Sequence, residues 1–253
     1  MNFAVETQLL FRRKMLELMR QPVWIFAGLS SPLLYLALFA PLLQALAGGP
    51  GFAGKSVLDV FVPGIIVLMA FGSGMGAGWV TIAELDTGVL ERLTVSPASR
   101  FALLLGTVLR DVVWLIMPAL LVILVAIPLG FHPNPAGTAV LLAIASLITA
   151  MTSSISSALG IKLRQIGSLA AVVTGLQLPL MLLSGILLPL SLAPSWMVVL
   201  AHIDPMYYAV EASRVLANGS ILNSTVGTAF AVLGTLTALS LWWATSVYRK
   251  ALA

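Results

Sequence analysis

Cysteine is absent from this chain, and charge is scarce. With no cysteine there is no disulfide framework, no thiolate metal site and no cysteine nucleophile. Charged residues make up 9% of the 253, where a soluble domain uses roughly a quarter to cover its surface. No acidic, weakly hydrophobic tract is present, so long disorder is not expected. Nor is there a Gly-x-x-x-x-Gly-Lys-(Ser/Thr) run, so the chain cannot itself cradle the phosphates of ATP. No metal site is read from it. What remains is apolar: 60% of residues are hydrophobic and the mean hydropathy is +1.06. Such a composition implies lipid, not water, as the main solvent. The net charge of +4 comes from basic residues in short clusters between apolar runs, the pattern of a topology signal and not of a nucleic-acid surface.

A helix crossing a bilayer needs about 20 mainly apolar residues. Six segments qualify, at 23–46, 60–83, 112–131, 137–161, 168–190 and 225–248, and none contains a formal charge. The expected fold is therefore an all-α integral membrane protein of six transmembrane helices, one domain over residues 1–253. The first apolar run is longer than the roughly 7–15 residues of a cleavable signal core, so it reads as a retained span. Orientation follows from the basic residues. Arg12, Arg13, Lys14, Arg20, Arg92, Arg100, Arg110, Lys162, Arg164, Arg249 and Lys250 fall on one side, and only Lys55 and Arg214 on the other. The first side is expected to be cytoplasmic, with both termini on it, in a plasma or inner membrane.

Pro32, Pro41, Pro118 and Pro179 lie within spans, where neighbouring helices can serve the freed backbone groups, so kinks are expected, not breaks. The second span holds Gly72-Ser73-Gly74-Met75-Gly76-Ala77-Gly78, whose small residues at four-residue spacing predict close helix approach. Residues 1–21 do not make a span. Leu9, Leu10, Leu16 and Met19 interleaved with Arg12, Arg13, Lys14, Glu17 and Arg20 predict an amphipathic interfacial helix facing anionic headgroups.

Two connections carry mechanism. Residues 84–100 are short and densely charged: Glu84, Asp86, Gly88, Val89, Leu90, Glu91, Arg92 and Leu93 precede Pro97 and Arg100. Thr87 is expected to cap a short helix presenting Val89, Leu90 and Leu93 as an exposed apolar stripe suited to docking another protein. An ordinary solvated loop carrying a topology signal fits the composition equally well. Residues 189–223 are too apolar for a free loop and predict two short helices at the outer leaflet, with Trp196, Tyr207 and Tyr208 at the interface. Glu211 and Arg214 are spaced to share a helical face.

These two connections resemble those of the permeases of type-2 ATP-binding-cassette exporters, the daunorubicin-resistance and related multidrug, lipid and polysaccharide exporters among them. The first pattern stands here as Glu84, Gly88-Val89-Leu90-Glu91, Arg92, Ser96-Pro97 and Arg100. The second stands as Ser184-Gly185, Pro189, Pro194-Ser195-Trp196, Asp204-Pro205, Tyr208 and Arg214, with Asp204 departing from the Asn common at that place. The resemblance covers essentially the whole chain. It implies that residues 84–97 form a coupling helix seated in a separate nucleotide-binding subunit. Closure of two such ATPase subunits, which hold ATP and Mg, would rock two permease chains, identical or homologous, between inward- and outward-facing states. It also implies that Gly185, Pro189, Pro194, Trp196, Asp204, Pro205, Tyr208 and Arg214 shape an external gate. No catalytic residue and no bound cofactor are expected on this chain. Uncharged spans suit amphipathic drugs or lipids as cargo, with polysaccharide or lipid-linked glycan as the alternative. Gln177, deep in the fifth span, either bonds a neighbouring helix or faces the substrate route.

Two other classes fit less well. An intramembrane protease would need a serine in a Gly-x-Ser-Gly arrangement, which neither Ser73 nor Ser184 has, and both histidines, His132 and His202, lie near the outer surface. An ion-coupled carrier would place charge at the midplane, whereas Arg110 and Asp111 are expected at a cytoplasmic helix end.

Overall fold

A computed structural model describes residues 3–44, 57–94, 99–186, 193–217 and 219–251. All regular structure among them is helical. In chain order the helices are α1 (Phe3–Met19), α2 (Pro22–Gln44), α3 (Val57–Met75), α4 (Ala77–Asp86), α5 (Val89–Thr94), α6 (Arg100–Ala126), α7 (Pro135–Leu163), α8 (Ile166–Leu183), α9 (Ser195–Ala201), α10 (Pro205–Ala217) and α11 (Ser224–Ala251). Among the described residues five stretches are long and apolar enough to cross a membrane: Phe61–Asp86, Arg100–Leu129, Pro135–Leu163, Ile166–Leu183 and Ser224–Ala251. The expected first span corresponds to α2, an apolar helix of 23 residues that tolerates Pro32 and Pro41 in its interior.

The third expected span is corrected at its start. Helix α6 begins at Arg100 and not at 112, so Arg110 and Asp111 lie inside it. Hydropathy places the boundary at this charged pair because it assumes that charge means water. Here the charge is met by protein instead. Ser99 starts α6 by accepting the Ala102 amide at 3.1 Å, and the Ser99 amide is itself bound by Glu6 Oε2 at 3.2 Å. A carboxylate at a helix N-terminus also opposes the helix dipole favourably.

Helix α7 lies at the centre, against α3, α4, α6, α10 and α11. Its buried face is small and hydroxylic, with Thr149, Thr152, Ser153, Ser156, Ser157, Ala158 and Gly160. Small residues let backbones approach, and the glycines of the second span use that space as expected. A Cβ on Gly78 would stand 2.5 Å from the Ser156 carbonyl oxygen, and one on Gly160 would stand 2.7 Å from that of Gly78. Helices α3 and α4 are separated by the single turn residue Gly76. Ser156 serves the backbone on both sides of it, donating to the Met75 carbonyl at 2.5 Å and accepting the Gly78 amide at 3.0 Å.

The core has two parts. The larger, built from residues such as Ile65, Ile66, Val122, Ile144, Ile148, Val210 and Leu233, joins α3, α6, α7, α10 and α11. The smaller, with Leu10, Leu90, Leu104, Ile161, Val247 and Tyr248, lies where α1 and α5 meet the ends of α6, α7 and α11.

Candidate functional site

Both predicted connections resolve into built structure, at opposite ends of the bundle. At the first end α1 is not loosely interfacial. Its buried stripe is Glu6, Thr7, Leu10 and Lys14, one helical face at near four-residue spacing, laid along the first half of α6. Phe3 stacks on Phe101 with ring centres 5.7 Å apart, and Leu10 packs where Gly106 leaves room for it. The expected amphipathic pattern is thus partly inverted, because Leu9, Leu16 and Met19 are exposed while Glu6 and Lys14 are buried. Burial of the charges is compensated. Lys14 Nζ donates to Glu84 Oε2, and Arg13 approaches Glu84 Oε1 at 3.5 Å. Burial pulls the Lys14 pKa down, against the opposing pull of Glu84.

A second buried pair lies deeper. Arg110 donates to its neighbour Asp111, with Nε at 2.9 Å from Oδ1. Ser153 of α7 donates to Asp111 Oδ2 at 2.6 Å, and Ser73 of α3 donates to the Asp111 carbonyl at 3.1 Å. Five helices are therefore tied by polar contacts just inside this end: α1 to α4 through Glu84, and α6 to α3 and α7 through Asp111. Sequence reasoning missed Glu6, Lys14, Asp111, Ser153 and Ser156 as partners. A charged pair within an apolar run and the serine-rich stretch 152–157 were the available signals.

The short helix of the charged connection forms as predicted, as α5, but Thr87 does not start it. Thr87 ends α4, its hydroxyl donating back to the Ala83 carbonyl at 2.8 Å. Gly88 then takes φ +67°, a left-handed turn that favours glycine, and aims α5 away from α4. Nor is the apolar stripe exposed. Leu90 is 2% exposed and buried in the smaller core, with Leu93 packed beside it. Val89 is half-buried, and Asp86 and Arg92 remain exposed. The exposed surface here is therefore charged, and the leucines seat α5 in the smaller core. Pro97 and the Glu91 side chain lie outside the described residues.

At the other end, α9 and α10 form where two short helices are expected. They differ in placement. Helix α9 leaves Trp196, Val199 and Ile203 just beyond it exposed, whereas α10 buries Met206, Ala209, Val210, Ala212 and Leu216 against α3, α7 and α11. Helix α10 thus belongs to the core and does not lie on a surface. Asp204 starts it, accepting the Met206 amide at 2.9 Å, directly before Pro205 at the first helical position. The other Asp204 carboxylate oxygen is buried without a hydrogen-bond partner among the described residues. Burial pushes this carboxyl up to about 6, opposed by the Met206 amide.

Arg214 joins two predicted positions far apart in sequence. It donates to Glu211 Oε1 at 3.0 Å and to the Gly185 carbonyl at 2.5 Å, tying α10 to the turn after α8. Gly185 has φ +74°, which that turn requires. Burial lowers the Arg214 pKa, and it raises that of Tyr207, where Glu211 acts in the same direction. Tyr208 Oη donates to the His202 carbonyl at 2.9 Å, and the rings of His202 and Tyr207 are 4.9 Å apart. Pro194 precedes α9 in extended conformation. Pro189 lies outside the described residues. Gln177 stands apart from this cluster, on an exposed face of α8. Among the described residues no group of three His, Asp or Glu is placed to hold a metal.

Comparison with known proteins gives the family. The family described as ABC-2 type transporter matches residues 5–217. A protein named as a transport permease, ycf38 of Cyanophora paradoxa, is 30% identical over 221 residues, covering 86% of this chain and 76% of its own. Its namesake in Porphyra purpurea is 26% identical over 222 residues, covering 87% and 76%. The daunorubicin resistance ABC transporter permease protein DrrB1 of Streptomyces coeruleorubidus is 26% identical over 212 residues, covering 82% and 73%. With five membrane-crossing stretches and a match over most of its length, this multi-pass membrane protein is a transport permease belonging to the ABC-2 type transporter family.

Proposed function

We propose that this chain is the transmembrane permease subunit of an ATP-driven exporter that moves hydrophobic or amphipathic drugs or lipids out of the cytoplasm. In this reading α2 is the sixth span, the α1–α5 end faces the cytoplasm, and the chain works in a cell membrane with a second permease chain. The chain itself is non-catalytic. ATP and Mg are held by a separate pair of ATPase subunits, because this sequence lacks the phosphate-cradling loop.

The placement of α5 supports the reading most. The α4–α5 corner, seated by Leu90 in the smaller core, presents Asp86 of α4 and Arg92 of α5 outward, at the same end as the Lys14–Glu84 pair. A force applied to α5 reaches α4 through the Thr87–Gly88 turn, and Glu84 passes it to α1. The cluster of Gly185, Asp204, Tyr208 and Arg214 at the opposite end then shapes the exit, with Pro189, Pro194, Trp196 and Pro205 around it. The exposed Gln177 on α8 fits a surface covered by the second permease chain or by cargo. Similarity to a daunorubicin-resistance permease favours drugs and lipids over the alternative cargo, polysaccharide or lipid-linked glycan.

The test is ATPase stimulation in vesicles holding the permease and its partner ATPase. Arg92→Glu changes an exposed residue and leaves the buried Leu90 in place. It is expected to abolish cargo-stimulated hydrolysis and export while the permease still folds and inserts. Wild-type export by this variant would remove α5 from the coupling role.

A further inference from the structure

The outward face of α1 has no role in the reading above. Beside the buried stripe runs a second face carrying Arg12, Leu16, Leu9, Arg20 and Arg13 in angular order. These residues, with Glu17, line a shallow open cleft of about 680 Å³. Arg12 and Arg20 are exposed, and neither is in an ion pair among the described residues. Arg13 is shared with Glu84, and Glu17 is the one acid of the cleft. The face is thus net positive and interleaved with leucine. A soluble partner would not require that mixture, but a headgroup above acyl chains would.

Position decides the occupant. The cleft ends at Gln21, and the chain turns there directly into the apolar helix α2. Two of the described side chains on its first turns, Val23 and Phe26, are 76% and 73% exposed. Basic groups, then a turn, then bare apolar side chains make the profile of a bilayer boundary, with arginine at phosphate depth and hydrocarbon below. The opposite face of α1 is fixed to α6 and Glu84, so the cleft has a set place relative to the spans.

We infer that Arg12 and Arg20 form, with Leu9 and Leu16, a binding site for one anionic phospholipid of the leaflet on the α1 side. The arginines take the headgroup phosphate, the leucines and Phe26 take the start of the acyl chains, and the three arginines against the one Glu17 leave the cleft net positive. This site is independent of the transport reading. It requires only that the chain sits in a membrane.

The full chain is reconstituted in phosphatidylcholine vesicles containing trace spin-labelled phosphatidylglycerol or spin-labelled phosphatidylcholine. The fraction of label immobilised per chain is then measured. The wild-type chain is expected to hold one phosphatidylglycerol in clear preference to phosphatidylcholine, and the preference should fall when salt rises from 0.05 to 0.5 M. An Arg12→Gln, Arg20→Gln double variant should lower the relative affinity roughly 30-fold, about fivefold per arginine. A control of equal charge at the same end of the bundle, Arg249→Gln with Lys250→Gln, should leave it within about twofold, since those residues do not line the cleft. An equal fall in the control would mean diffuse charge and no site. Equal retention of both lipids by the wild-type chain at low salt overturns the proposal outright and leaves the arginines to an acidic protein partner. Should the double variant fail to fold, the single variants Arg12→Gln and Arg20→Gln carry the same test, each with an expected fall of about fivefold against the unchanged control.

Discussion

At the α1–α5 end, side chains seventy positions apart meet as buried ions: Lys14 on Glu84, with Arg110 and Asp111 paired nearby. At the α9–α10 end the contacts reach mostly to backbone, as Asp204 accepts the Met206 amide, Tyr208 donates to His202 and Arg214 donates to Gly185. The first arrangement depends on the mutual placement of five helices, and it fails if one moves without the others. The second has its polar contacts within residues 185–214, on a helix α10 whose apolar face is packed against α3, α7 and α11. A part that must transmit displacement between helices is better served by the first kind. A part that must open and reclose locally is better served by the second.

Breaking the first arrangement should have the largest effect. Glu84→Gln leaves Lys14 buried beside a neutral amide, and losing one member of a buried pair costs about 3–5 kcal/mol. Thermal unfolding in detergent should register it, and adding Lys14→Met should recover most of the loss. A double variant no more stable than Glu84→Gln alone would show that the pair is not the unit.

Asp204 should give the next effect, with the opposite sign. Its folded-state carboxyl lies at about 6 against an ordinary 3.8. Folding therefore favours the protonated form. The associated stability is complete below the ordinary value and is lost as pH rises through about 6. Asp204→Asn keeps a good helix start and removes the ionisation, so it should stabilise the protein at pH 8 by up to about 3 kcal/mol and by almost nothing at pH 4. A gain equal at both pH values would mean that the buried oxygen, not its charge, is responsible.

Arg214→Lys sharpens the comparison further. A lysine keeps the charge but cannot hold both Glu211 and Gly185 in the planar fork, so a loss of about 1–2 kcal/mol is expected. The smallest effect belongs to Trp196→Ala, exposed on α9, which should change stability in detergent by no more than about 0.5 kcal/mol. If the exit reading holds, that variant should alter export rate far more than stability.

How much was legible in the sequence differed between the ends for a physical reason. The apolar runs of α7 and α11, the small-residue spacing around Gly74 and Gly78, and the Glu211–Arg214 pair are local patterns, and each appears in the structure near its expected place. The start of α6 was not legible, since Arg110 and Asp111 mark a water boundary only if no protein surrounds them. Thr87 carried a cap preference that could not say which of two helices it served. Leu90 looked like a docking residue because the cluster that buries it draws on α1, α6, α7 and α11, which local sequence cannot reveal. Contacts within about four residues could be read, and contacts between distant helices could not.

The single hydroxyl of Ser156 has one more consequence. A helix interrupted at membrane depth exposes amide and carbonyl groups that hydrocarbon cannot satisfy, each at a cost of several kcal/mol. In this protein the interruption at Gly76 is in one helix and its repair is in another. The halves α3 and α4 can therefore swivel relative to each other only as far as α7 follows. Ser156 acts as the pin of a joint, and whatever tilts α4 from the Glu84 end must carry the centre of the bundle with it.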